Sequence, residues 1–186
     1  MGESNVHAAL SSLARRLDEA KIPYALVGAM AMNAFGFERV TVDIDVLLTP
    51  EGLARFKAAW LGRGYVERFA GSRGVRDAEH RVPIDFLLTG DYPGDGKPKD
   101  VRFPDPATEA VSMKGLSVLP LERIVEMKLA SGMSAPHRLK DLADVVELVR
   151  ALDLKESLAD RLAPSVRSKY LELWRAARSA GPDDPR

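Results

Sequence analysis

Asp43 and Asp45 stand one residue apart inside the apolar run Thr41-Val42-Asp43-Ile44-Asp45-Val46-Leu47-Leu48. In an extended strand alternate side chains point the same way. The spacing therefore predicts both carboxylates on one face and Val42, Ile44 and Val46 on the other. Two like charges on a half-buried face repel, and the cost falls when a hard divalent cation lies between them. The pair points to a magnesium site, although a solvated strand face or a turn would also accommodate it. Gly28, upstream at an expected strand-to-helix junction, allows backbone to approach a phosphate and precedes free helix N–H groups. An ordinary tight turn would use a glycine there equally well.

Four further residues extend this chemistry. Asp85, in Val82-Pro-Ile-Asp-Phe-Leu-Leu, lies on a second apolar strand between Ile84 and Phe86. If that strand neighbours the first, three carboxylates converge. Two would hold a metal against a nucleotide's phosphates, and the third would ligate a second metal or take a proton from an attacking hydroxyl. Otherwise Asp85 is an aspartate beside a core strand, paired with an arginine or exposed at the strand end. Lys128 falls on the same helical stripe as Leu121, Ile124 and Val125, where it either snorkels to water or meets an anion. Asp141 and Asp144 share an edge of the next helix, placed to orient Lys128, an acceptor or a base, or simply to complement the helix dipole. His7, His80 and His137 show no metal spacing.

These residues need a scaffold, and the pattern supplies one. A first helix capped by Ser4 or Asn5 carries the stripe Val6, Leu10, Leu13 and Leu17 and stops before Pro23. Tyr24–Val27 reads as a strand, Met30–Phe37 as a helix, and the Asp-x-Asp run as a strand closed by Thr49-Pro50. Glu51–Leu61 is a helix with Leu53, Phe56 and Trp60 inward. Tyr65–Phe69 and Arg81–Thr89 are strands separated by the turn Gly71–Gly74. Residues 90–106 read as a long exposed loop, and Gly115–Leu119 as one more strand. Beyond Pro120 only helices are expected: Leu121–Met133, Leu139–Leu152, and Glu156–Ser179 broken near Pro164, with a tail from Gly181 that frays.

Composition narrows the function classes. Lys+Arg and Asp+Glu each total 27, so no global field attracts nucleic acid or an anionic membrane. The absence of cysteine excludes disulfides, thiolate metal sites and a cysteine nucleophile. With 46% hydrophobic and 29% charged residues, the chain suits a globular protein. No stretch is long and apolar enough for a membrane helix, and the start lacks a secretory pattern, so a cytoplasmic location is expected.

Together, Leu26-Val-Gly-Ala-Met-Ala and Arg39-Val-Thr-Val-Asp-Ile-Asp-Val-Leu-Leu resemble the signature of the polymerase β-like nucleotidyltransferase superfamily. Downstream, Leu121-Glu-Arg-Ile-Val-Glu-Met-Lys-Leu-Ala and Arg138-Leu-Lys-Asp-Leu-Ala-Asp-Val are similar to the helical half of abortive-infection-type nucleotidyltransferases, a group with toxins of toxin–antitoxin pairs. The resemblance covers roughly residues 20–150. It implies an α+β fold, a mixed sheet flanked by helices and followed by a C-terminal helical bundle. Residues 1–120 would form the nucleotidyltransferase core, with 121–186 a helical region packed on it.

The resemblance also implies roles. Asp43, Asp45 and Asp85 would be the catalytic carboxylates and ligands for Mg2+, with Mn2+ as its substitute. Gly28, Ala29, Lys128 and Asp141 would bind the nucleotide. Ala29 replaces the family's second Gly or Ser, which removes a hydroxyl but keeps the backbone N–H. The expected reaction moves an NMP from an NTP, such as ATP, to an acceptor hydroxyl of RNA, protein or a small molecule, with release of pyrophosphate. A toxin would have an antitoxin partner. The alternatives are an aminoglycoside-type nucleotidyltransferase and a nucleotide- or partner-binding module without turnover. Arg167, Arg175 and Arg178, near one face of the last helix, suit either RNA phosphates or a solvated surface.

Overall fold

The structure, a computed structural model, describes residues 2–179, and the fraying expected of the tail lies outside them. Its elements fall into two compact units. The first comprises residues up to Gly90 together with Phe103–Pro120, and the second comprises Asp91–Arg102 and the chain from Leu121 onward.

Within the first unit, α1 (Gly2–Glu19) buries Val6, Leu10, Leu13 and Leu17, the expected stripe. It begins at Gly2, so Ser4 and Asn5 lie inside it and do not cap it. Helix propagation adds one bond per residue, so a stripe that starts at Val6 carries the preceding turn along. Then follow β1 (Ala25–Val27), α2 (Gly28–Ala34), β2 (Ile44–Leu48) and α3 (Pro50–Trp60). The Thr49 hydroxyl accepts the Gly52 N–H at 3.0 Å and Pro50 fills the first turn, so α3 starts where its residue types require.

The remaining strands are β3 (Tyr65–Glu67), β4 (Val75–Asp77), β5 (Pro83–Leu88), β6 (Val111–Met113) and β7 (Leu116–Val118), with the single-turn helix α4 (Pro106–Glu109) before β6. All seven strands form one mixed sheet in the order β3-β4-β5-β2-β1-β7-β6. Strand β2 lies between β1, antiparallel to it, and β5, parallel to it. Flanked on both sides, it buries Ile44, Val46, Leu47 and Leu48 completely. Phe56 of α3 stacks against Phe86 of β5 at 5.2 Å between ring centroids, which ties helix to sheet beneath the carboxylate strands.

The second unit packs α5 (Leu121–Ser134), α6 (Leu139–Ala151) and α7 (Pro164–Ser179) together, with short 3-10 turns at Pro136–Arg138 and Glu156–Arg161. The break near Pro164 is real, because Pro164 opens α7. Residues 91–102 are irregular, as expected, and exposed at Asp95–Pro98, while Pro93 and Val101 are buried. Hydrogen bonds tie this segment to the helices: Ser134 Oγ accepts the Asp95 N–H at 3.1 Å, and Ser165 Oγ donates to Asp100 at 2.7 Å. No helix among the described residues is long and apolar enough to cross a membrane.

Tyr170 locks α7 down by donating its hydroxyl to the Lys155 carbonyl at 2.8 Å. Burial pushes its phenol up to about 12, from an ordinary value of 10.0. The folded value lies above the unfolded one, so this contribution is complete below pH 10 and lost as pH rises through 12. Urea midpoints should therefore fall between those pH values in the wild type and fall less in Tyr170→Phe. At neutral pH the variant should lose about 1 kcal/mol for the missing hydrogen bond.

Candidate active site

Strand register brings two of the three expected carboxylates side by side. Asp45 on β2 faces Val27 of β1 on one side and Asp85 of β5 on the other. In-register residues on adjacent strands project from the same face, and neighbouring strands run about 4.8 Å apart. Asp45 and Asp85 are therefore lateral neighbours, as the sequence expectation required.

Asp43 is placed differently. Strand β2 begins at Ile44, leaving Asp43 in a bend and Val42 exposed. The expected alternation through Val42 is thus corrected: of Val42, Ile44 and Val46, Ile44 and Val46 are buried and Val42 is exposed. The cause is local. Thr41 Oγ1 donates to Asp43 Oδ1 at 2.6 Å, and such side-chain bonding competes with the ladder. Asn33 fixes the approach to this bend. Its Nδ2 donates to the Arg39 carbonyl at 2.9 Å while its Oδ1 accepts the Arg39 N–H at 2.8 Å.

Gly28 sits where β1 turns into α2, with φ +61. A Cβ built there would overlap Asp45 Oδ2 and lie 2.9 Å from Asp45 Cγ. The glycine therefore does two things at once: it adopts a left-handed turn and leaves the Asp45 carboxylate its space. Helix α2 has only 7 residues, so close backbone approach matters here more than a helix dipole. Gly28→Ala should cost about 1–3 kcal/mol from the left-handed φ and the overlap, read as a lowered thermal midpoint, and should displace Asp45.

Asp85 receives Arg68 Nη1 at 2.6 Å. Gly74 makes room for this pair, because a Cβ there would lie 2.7 Å from Asp85 Oδ1. Arginine pairing was one of the two readings open for Asp85, and the partner is now Arg68. With Asp85 turned to Arg68 and Asp43 to Thr41, no three His, Asp or Glu among the described residues gather as a metal cluster. The donor set still fits a hard cation: oxygens only, two on paired strands, with the Asp45 carboxylate seated against Gly28.

In the helical unit, Lys128 Nζ lies 2.6 Å from Asp144 and 3.4 Å from Asp141. Ser131 Oγ donates to the other Asp141 oxygen at 2.6 Å. Lys128 does not snorkel: its side chain is 13% exposed, and that of Asp144 12%. The two acids of α6 hold it in place. Thr41, Asn33, Arg68 and Gly74 also shape this site, beyond the residues that the sequence pattern points to. Thr41, two residues before Asp43, was the one with a local signal.

No family model matches the chain, and no curated protein does. Solved structures do. ANT(2'')-Ia in complex with adenylyl-2''-tobramycin is similar at 14% identity and a TM-score of 0.55, over 92% of this chain and 96% of that one. TM1012, a candidate nucleotidyltransferase from Thermotoga maritima, is similar at 18% identity and a TM-score of 0.54, over 77% and 94%. JHP933 from Helicobacter pylori matches at 17% identity and a TM-score of 0.50, over 94% and 89%. The chain therefore has the polymerase β-like nucleotidyltransferase fold, a mixed sheet flanked by helices with a helical C-terminal part.

Proposed function

We propose that this chain is a metal-dependent nucleotidyltransferase. The observation that carries the reading is the in-register pairing of Asp45 with Asp85, with Gly28 pressed against Asp45. A fold of this kind alone supports many chemistries, so the carboxylates bear the argument. Asp43, Asp45 and Asp85 would hold Mg2+ or Mn2+, which supplies charge neutralisation for a triphosphate when bound.

The oxygen of an acceptor hydroxyl would attack the α-phosphorus of an NTP. A new P–O bond forms as the bond to the bridging oxygen of the β-phosphate breaks, and pyrophosphate leaves with the electron pair. The hydroxyl proton passes to a carboxylate, for which Asp85 is the candidate when it is not a ligand. Gly28 and the N–H of Ala29 bring backbone to the phosphates. The residues act mainly by positioning and by balancing charge. Lys128 and Asp141 belong to this proposal through the resemblance alone, because their ion pair lies within the helical unit.

The acceptor divides the proposal. Similarity of Leu121–Ala130 and Arg138–Val145 to abortive-infection-type enzymes favours a toxin that modifies RNA or protein and is opposed by an antitoxin. The tobramycin adduct bound to ANT(2'')-Ia supports a small polycationic acceptor instead. Incubation with α-labelled NTP, Mg2+ and, in turn, total RNA, cell protein and tobramycin tests the reading. Label should appear in one acceptor class, and no label in any of them would contradict it. Growth arrest on expression, relieved by a co-expressed neighbouring gene, would select the toxin.

A further inference from the structure

Arg68 occupies an unusual position for a cation in a site read as binding another cation. Asp45 and Asp85 are lateral neighbours, and two carboxylates so placed repel. Arg68 balances that charge by donating to Asp85 at 2.6 Å. The loop that carries it, 68–74, is held from below. Lys57 donates to Glu67 at 2.8 Å and to the Ser72 carbonyl, while Glu67 accepts the Gly71 N–H at 3.1 Å. The lysine keeps the Glu67 carboxyl below its ordinary range, so this latch stays charged. Gly74 leaves the space in which the Arg68–Asp85 pair sits. The backbone is therefore held while the ion pair itself is open to solvent, with the Arg68 side chain 42% exposed and that of Asp85 44%.

A divalent ion on Asp85 would compete with Arg68 for the same oxygen and add positive charge beside it. The guanidinium is then repelled, and its planar fork of donors suits a phosphate. We propose that Arg68 is a built-in counter-cation for Asp85: it yields to the metal and turns to the polyphosphate of the incoming nucleotide. This makes Arg68 a positioning residue that exchanges partners as substrate and metal arrive together. It keeps the carboxylates from binding metal tightly on their own. The inference rests on the function proposed above.

Mn2+ binding followed by electron paramagnetic resonance tests it, using the full chain, Arg68→Gln, Arg68→Lys and Asp43→Asn plus Asp45→Asn. Without nucleotide, Arg68→Gln should bind Mn2+ about three- to fivefold more tightly, the scale of a half-exposed ion pair removed. With Mn2+ and α,β-methylene nucleoside triphosphates of all four bases, the same variant should bind nucleotide about tenfold more weakly. Arg68→Lys, which keeps the charge and loses the fork, should restore wild-type Mn2+ affinity and only part of the nucleotide affinity. A merely structural role would weaken both together, and that result overturns the inference. So does unchanged Mn2+ affinity in Arg68→Gln while wild-type binding still needs Asp43 and Asp45, which leaves the proposed function standing. Mn2+ binding that ignores Asp43 and Asp45 removes both.

Discussion

Asp45→Asn is expected to lower nucleotidyl transfer roughly 1,000-fold in kcat, about 4 kcal/mol of transition-state stabilisation. Asparagine keeps the shape of the side chain and removes its charge. The strand pairing to Val27 and Asp85 is made by backbone and stays intact. If Asp45 holds the metal as proposed, loss of its charge weakens metal-assisted neutralisation of the phosphates, which acts in the transition state more than in binding. The KM for NTP should change less than kcat. Stability gives an independent readout, since removing one of two adjacent like charges relieves repulsion. The thermal midpoint of Asp45→Asn should be unchanged or higher. A variant that lost activity through misfolding would show the opposite.

Lys128→Met should have the largest effect on stability. Lys128 and Asp144 are both nearly excluded from water, and Asp141 leans on the same ammonium. Methionine fills the stem's volume but leaves acidic groups facing a site that lost its positive charge. Breaking one partner of a buried pair costs about 3 kcal/mol, or roughly 10 °C in the midpoint of a chain this size. The double variant Lys128→Met with Asp144→Asn should recover part of that loss, because the buried charge goes with its partner. If Lys128 also contacts nucleotide, the double variant will regain stability without regaining its KM for NTP. Recovery of both would restrict Lys128 to holding α5 and α6 together.

The sequence made the long periodic elements legible and concealed some of the short ones. The stripe of α1, the Thr49-Pro50 start of α3 and the three helices beyond Pro120 each follow from period or capping chemistry. Strands β1, β3 and β7 have 3 residues each and were marked by Pro23, Gly64 and Gly115 just before them, whereas β4 and β6, equally short, carry too few residues to show a period. Asp45 was legible because its flanks Ile44 and Val46 are both core residues. Asp43 falls just outside the strand because Thr41 takes its carboxylate and delays the start of β2 to Ile44. Arg68 was hidden for a different reason. Its partner lies 17 positions away, and only the β3–β4–β5 pairing brings the two together.

The proposed nucleotidyl transfer depends on the carboxylates of Asp43, Asp45 and Asp85. The most direct measurement is pyrophosphate release from NTP with Mg2+ and the labelled acceptor class, in the wild type and in Asp43→Asn plus Asp45→Asn. The wild type should release one pyrophosphate for each nucleotide transferred, and the folded double variant should release none above background. Pyrophosphate release that survives the double substitution, or NTP binding that ignores Mg2+ and yields no pyrophosphate, would rule out this role for the carboxylates. The second of these results would instead describe a nucleotide-binding module.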